Sequence, residues 1–276
     1  MRARIRELEE AARPLEPGPD GRRTLRRPVL AHAERFLEGL ATAKAYDTDW
    51  SATALLDEAP IGEEPAELDA LLALIGEAVD SPGLNPASPG HLGYIPGGGI
   101  YTSSLGDYLA AVSNAYAGVR FGGPGPVAME EACLRWMAEL VGFPDDAGGN
   151  LTSGGSIANL IAIVTAREAH GLKARDFPKA VVYLSEQTHH CVHKALRIAG
   201  MGECVLRRVP LGPRYRMRAD AVDAMADEDR AAGLVPWMLI SSAGTTDVGA
   251  VDPLYDLSQV AARHGLWHHV DAAYGG

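Results

Sequence analysis

Three short segments carry the residues that could do chemistry. In Leu151-Thr-Ser-Gly-Gly-Ser-Ile-Ala-Asn159, small residues stand directly before a helical pattern. Ser153, Gly154 and Gly155 let backbone N–H groups approach an anion, and the start of the helix adds unsatisfied donors and a favourable dipole, so a phosphate group would suit this turn. The Ser156 hydroxyl can add a donor. A tight turn with Ser156 capping the helix would account for the same residues without a ligand. The segment is neither a Walker A loop, since no Gly-Lys-Ser/Thr follows, nor a GxGxxG dinucleotide fingerprint.

The second segment, Ser185-Glu-Gln-Thr-His-His-Cys-Val-His193, follows a strand candidate and opens a helix. Its first residues should therefore reach the carboxyl edge of a sheet, where open α/β folds gather ligands. His189 could stack on a flat cofactor, or the histidines could simply cap and pack. The third, Leu266-Trp-His-His-Val-Asp-Ala-Ala-Tyr-Gly-Gly276, reads as a buried strand ending in an acid and small residues. Asp271 could cap a turn. It could equally pair with a protonated ring nitrogen such as that of pyridoxal 5′-phosphate, strengthening the ring as an electron sink, while Ala273 leaves room for a ring face. Between these stations, Ser241-Ser-Ala-Gly-Thr-Thr-Asp-Val-Gly249 leaves another strand, and Thr246 could donate to a polar substituent or belong to an ordinary turn. A metal site is the competing reading, because His189 and His193 lie one helical turn apart and His268, His269 and Asp271 form a second group. The order is not H-E-x-x-H, and strand alternation sends His268 and His269 to opposite faces. No metal is expected.

The elements that must position these residues alternate. Strand candidates at 180–184, 204–209, 237–241 and 266–270 are separated by helical segments, which implies a mostly parallel sheet with helices on its faces. The apolar stripe expected of the helix after the phosphate turn is Ile157, Leu160, Ile161 and Val164. Before the sheet, helical patterns run over 5–40, with a breaker at 14–21, and over 65–79. A glycine- and proline-rich loop at 88–99 feeds a helix over 103–117. A second such stretch at 122–126 precedes a helix over 129–141, which Gly142 ends.

Composition excludes several classes. Of 276 residues, 47% are hydrophobic and 22% charged, enough to bury a core. A net charge of −11 argues against a nucleic-acid surface. No apolar run is long enough to cross a bilayer, and the charged N-terminus lacks a signal peptide's apolar stretch. Three cysteines without close pairing fit a reducing cytoplasm.

The ordered set of motifs resembles the group II decarboxylases that depend on pyridoxal phosphate, a family including aromatic-amino-acid, histidine and glutamate decarboxylases. Thr152–Asn159 is similar to the family's phosphate turn, Ser185–His189 to its ring-stacking segment, and His269-Val-Asp-Ala-Ala-Tyr274 to its pyridine-nitrogen motif. Gly93-Tyr-Ile-Pro96 resembles its substrate-side loop. The resemblance implies that Gly154, Gly155 and Ser156 hold phosphate, that His189 stacks on the ring, that Thr246 faces the phenolic oxygen and that Asp271 with Ala273 flanks the nitrogen. Tyr94 and Pro96 would meet substrate. His189 and Asp271 would serve catalysis, and the reaction implied is decarboxylation of an L-amino acid to an amine.

The fold implied is the fold-type-I, pyridoxal-phosphate-dependent transferase-like large domain. Residues 1–87 would be a helical segment packing across a homodimer, and residues 88–276 an incomplete cofactor-binding domain. The family's covalent lysine lies beyond the pyridine-nitrogen motif, so the chain is expected to be truncated before it. None of Lys44, Lys173, Lys179 and Lys194, the only lysines, stands in that context. The alternatives are another fold-type-I lyase or aminotransferase, a non-catalytic truncated product, or a metallohydrolase.

Overall fold

Helix α1 (Arg2–Ala12) closes before a 3₁₀ turn at Arg13–Leu15, and α2 (Pro19–Gly39) starts with proline at its first position and Asp20 in its first turn. Proline has no N–H to lose there, and an acid suits the helix N-terminus. The expected breaker at 14–21 is therefore shorter than its composition suggests. A two-residue strand β1 (Tyr46–Asp47) and a short helix α3 (Ala54–Asp57) follow, then α4 (Leu68–Ala78) and β2 (Gly83–Leu84), which pairs antiparallel with β1. This computed structural model describes residues 1–59, 61–62 and 65–276.

Helix α5 (Tyr101–Ser113) contains the division between two compact units, Met1–Leu109 and Ala110–Gly276. Within the first unit the Ser88 hydroxyl donates to the Ala43 carbonyl at 2.7 Å, and Ile100, Tyr101 and Ser104 line one cavity with Phe36 and Leu72. The loop and the first turns of α5 thus pack with the early helices.

The second unit contains α6 (Pro124–Leu140), α7 (Gly155–Ala169), β3 (Ala180–Leu184), α8 (Cys191–Ile198), β4 (Val205–Arg208), α9 (Ala219–Ala231), β5 (Val235–Ser242), α10 (Leu254–His264) and β6 (Trp267–Asp271). Helix α6 begins inside the stretch expected to be a loop, because Pro124 tolerates the first turn. Gly142, with φ of 73°, follows its end. The four strands pair in the order β4-β3-β5-β6, all parallel, as the alternation of strands and helices implies.

Central β3 is buried on both faces. Val182 and Leu184 join Met238 and Ile240 of β5 against Ile163 and Ala166 of α7 and Val192 and Leu196 of α8. Val181 and Tyr183 join Leu239 against Val222 of α9 and Leu257 and Val260 of α10. Alternate residues thus fill the two layers that sandwich the sheet, each large aliphatic contributing about 1.5–3 kcal/mol on burial. Strand β6 is only half-buried, against the fully buried strand expected, because among the described residues it pairs with β5 alone. Gly265, left-handed at φ of 64°, turns the chain from α10 into β6, with the Leu266 N–H donating to the Ala261 carbonyl at 2.9 Å. Among the described residues no helix is long and apolar enough to cross a membrane.

Beyond β5 the chain is clipped back by buried Asp252. One of its carboxylate oxygens accepts the Ser242 N–H at 2.8 Å and the other the Met217 N–H at 2.7 Å. Asp252→Ala would leave two buried donors unpaired, a cost of about 2–5 kcal/mol. Denaturant unfolding of the full-length protein should show a loss in that range, whereas wild-type stability would contradict the clip.

Candidate functional site

Because the strands are parallel, β3, β5 and β6 bring their carboxyl ends to one edge of the sheet, and Asp271 is the last residue of β6. It stands opposite Ser242, and its carbonyl accepts the Ala243 N–H at 2.9 Å. The side chain is held from two sides. Oδ1 accepts the Ala273 N–H at 3.2 Å, and Oδ2 accepts from Nδ2 of Asn159 at 3.3 Å.

Asn159 lies on the buried face of α7 with Ile163 and Ala166, and is itself 3% exposed. The expected stripe is rotated accordingly, with Ile157 and Ile161 considerably exposed. The Asn159 amide also donates to the Gly155 carbonyl at 3.0 Å and lies 3.5 Å from the Cys191 sulfur. Its Oδ1 is 2.7 Å from Nε2 of His269. Two oxygen acceptors on the Nδ2 side fix the orientation of the amide, so Oδ1 accepts and the His269 Nε2 carries the proton. Asn159 stands at the end of the phosphate-turn motif, where the sequence alone assigns it no role. The available signal was a polar residue at the 159, 163, 166 spacing of a buried helix face.

The turn before α7 is built around Gly154, whose φ of 146° and ψ of 171° are strained for any residue with a side chain. The Thr152 hydroxyl donates to the Gly154 carbonyl at 3.1 Å. No side chain caps α7: Gly154 is the N-cap and Ser156 lies inside the first turn, so the capping role considered for Ser156 is not what this helix uses. The start of the helix borders a cavity of about 460 Å³, whose lining includes Thr152, Gly154, Gly155, Asn159, Asp271 and Ala273. A Cβ on Gly155 would meet the Ala273 Cβ at 3.6 Å and fill part of this cradle.

The expected site residues divide. Gly154, Gly155, Asp271 and Ala273 meet on that cavity; Ser156, His189 and Thr246 do not line it. Nearby, the Cys191 N–H donates to the His189 Nδ1 at 3.3 Å, and the Cys191 sulfur lies 3.5 Å from the Asn159 Nδ2. Thr246 is exposed in the turn after β5. Tyr94 and Pro96 belong to the first unit, where Tyr94 is exposed with φ of 66° and the Pro96 carbonyl lies 3.0 Å from the His91 Nε2. His268 and His269 take different partners, Ser241 at 2.8 Å and Asn159, as strand alternation requires. Among the described residues no three His, Cys, Asp or Glu side chains converge to hold a metal ion.

The family described as "Pyridoxal-dependent decarboxylase conserved domain" matches residues 54–276. The chain belongs to this family. Among its relatives, it is 32% identical over 240 residues to an aromatic-L-amino-acid decarboxylase of Bacillus atrophaeus, covering 87% of this chain and 49% of that protein. It is 32% identical over 259 residues to tryptophan decarboxylase 2 of Oryza sativa subsp. japonica, covering 90% of this chain and 51% of that protein. The chain spans about half the length of the curated relatives it matches. The solved structure of Oryza sativa TDC with PLP and tryptamine superposes with a TM-score of 0.83 at 24% identity, covering 92% of this chain and 55% of that one, and supports the fold. Both the expected family and the fold-type-I class therefore stand, and the family's cofactor is pyridoxal phosphate.

That cofactor can be tested against the cavity. It carries a phosphate at one end and a basic ring nitrogen at the other. The cavity offers an uncapped helix N-terminus built on two glycines, and a carboxylate held by two N–H donors. These residues fit it.

Burial lowers both His268 and His269 from the ordinary histidine value, opposed in part by Asp252 and Asp271 respectively. Unfolded histidines titrate near about 6.5. Beneath that pH the unfolded chain takes up protons that the folded chain refuses, so their contribution is present above about pH 6.5 and lost as the pH falls. Denaturation midpoints of the full-length protein should drop between about pH 7 and 5, and a His268→Gln/His269→Gln variant should flatten that slope. A wild-type midpoint that stays level or rises on acidification would contradict the burial of these neutral rings.

Proposed function

We propose that the full-length protein is a pyridoxal-phosphate-dependent decarboxylase that converts an L-amino acid to an amine and carbon dioxide. One observation carries the reading: in a chain of this family, the uncapped start of α7 and the doubly held Asp271 carboxylate open on the same cavity. Aromatic amino acids are the first candidates, because the relatives named above act on them.

Gly154, Gly155 and Ser156 would receive the phosphate through N–H groups and a hydroxyl, where the helix dipole favours negative charge. Asp271 would pair with the ring nitrogen, and Ala273 would leave space beside it. When bound, pyridoxal phosphate supplies a protonated ring that accepts the electron pair released as the carboxylate leaves. His189 would lie against the ring; its Nδ1 is already engaged by Cys191, which leaves Nε2 to meet a substrate group. Thr246, whose hydroxyl has no protein partner among the described residues, would donate to the ring's phenolic oxygen. Asp271 and His189 are the catalytic residues of this reading.

The lysine that anchors the cofactor in the whole protein would lie outside these residues, since none of the four lysines lines the cavity. A homodimer is supported by apolar surface on α6, where Met129, Trp136 and Leu140 are exposed, and by the exposed Val119 and Phe121 before it. Three unpaired cysteines support a reducing, cytoplasmic setting.

The test supplies L-amino acids to the full-length protein with pyridoxal phosphate. Carbon dioxide and the matching amine should form in equal amounts, and Asp271→Ala should lower kcat by about 10²–10³-fold. Steady transamination without carbon dioxide would overturn the reading.

A further inference from the structure

We propose that Asn159 and His269 are positioning residues, a relay that aims the Asp271 carboxylate at the cofactor's ring nitrogen and ties it to the phosphate turn. This rests on the reading of Asp271 as the ring-nitrogen partner. An aspartate at the end of a strand can rotate about χ1 and χ2, and an ion pair to a ring nitrogen demands one setting. Here the Ala273 N–H holds Oδ1 and the Asn159 amide holds Oδ2.

The same Asn159 amide bonds the Gly155 carbonyl in the first turn of α7. One side chain thus bonds both the first turn of α7 and the Asp271 carboxylate, the latter across 112 positions of sequence. Its remaining polar atom, Oδ1, is taken by His269 at 2.7 Å. With Oδ1 occupied by the imidazole N–H, a flip of the amide would bring Nδ2 hydrogens against that donor and an oxygen against two acceptors. Burial lowers the pKa of the imidazole and so favours its neutral form, in which the relay adds no charge of its own to the ring-nitrogen pair. An asparagine serving only to bond its own helix would need a single acceptor, Gly155. This one is fully buried and partnered on three elements, α7, β6 and the His189 segment through Cys191.

The experiment loads the full-length protein with pyridoxal phosphate labelled with ¹⁵N in the ring. It reads the ring-nitrogen resonance, the cofactor Kd, kcat and KM. Asn159→Leu should move the resonance toward unprotonated pyridine and raise the cofactor Kd about tenfold, lowering kcat with little change in KM. His269→Gln retains an N–H for Oδ1 and should keep near-wild-type values. His269→Leu should reproduce Asn159→Leu, and this pair decides the matter if Asn159→Leu does not fold. Wild-type resonance and Kd in both leucine variants, whatever their melting temperatures, would overturn the relay. So would glutamine and leucine at 269 behaving alike. Failure of the wild-type protein to bind pyridoxal phosphate would instead overturn the proposed function, and the relay with it.

Discussion

Parallel pairing of β5 with β6, running from Met238 opposite Trp267 to Ser242 opposite Asp271, is the constraint on which the site depends. A slip of one residue would reverse every side chain of β6, sending His269 away from α7 and withdrawing Asp271 from the edge. Two features outside the ladder guard the register. Gly265 delivers the chain into β6 in a left-handed turn, and buried Asp252 clips the end of β5 through the Ser242 N–H. Neither touches the cavity, yet both determine where its carboxylate stands.

Within that frame, the site is assembled from groups that are individually ordinary. A helix without a side-chain cap, two glycines, an amide and an acid occur in many proteins. What distinguishes this arrangement is that the uncapped start of α7 and the Asp271 carboxylate of β6 line a common cavity. Satisfaction of the buried amide on every polar atom fixes the spacing between them. The proposed chemistry rests on a separation of charge: donors that would receive an anion at the start of α7, and the Asp271 carboxylate that would pair with a cationic ring.

How much of this was legible in the sequence depends on how local each signal was. Strand β3 is bounded as its apolar run suggests, and β4, β5 and β6 differ from expectation by a residue or two at their ends, where hydrogen bonding rather than hydropathy sets the limit. Helix α6 starts at Pro124, ahead of the expected 129, since proline suits a first turn as well as a loop. The stripe on α7 was rotated because Asn159, a polar residue, occupies its buried face. Gly154, Gly155, Asp271 and Ala273 belong to motifs whose residue types suit phosphate and ring nitrogen, and the four line one cavity. The bonds from Asn159 to Asp271 and His269 span 112 and 110 positions, and no local pattern reports a contact of that range.

The proposed function places both ends of pyridoxal phosphate in one cavity. A crystal structure of the full-length protein with the cofactor bound tests this directly. The phosphate should lie against the N–H groups of Gly155 and Ser156, and the ring nitrogen within hydrogen-bonding distance of an Asp271 oxygen. A cofactor seated elsewhere, or with its ring nitrogen facing a neutral group while Asp271 points away, would contradict it.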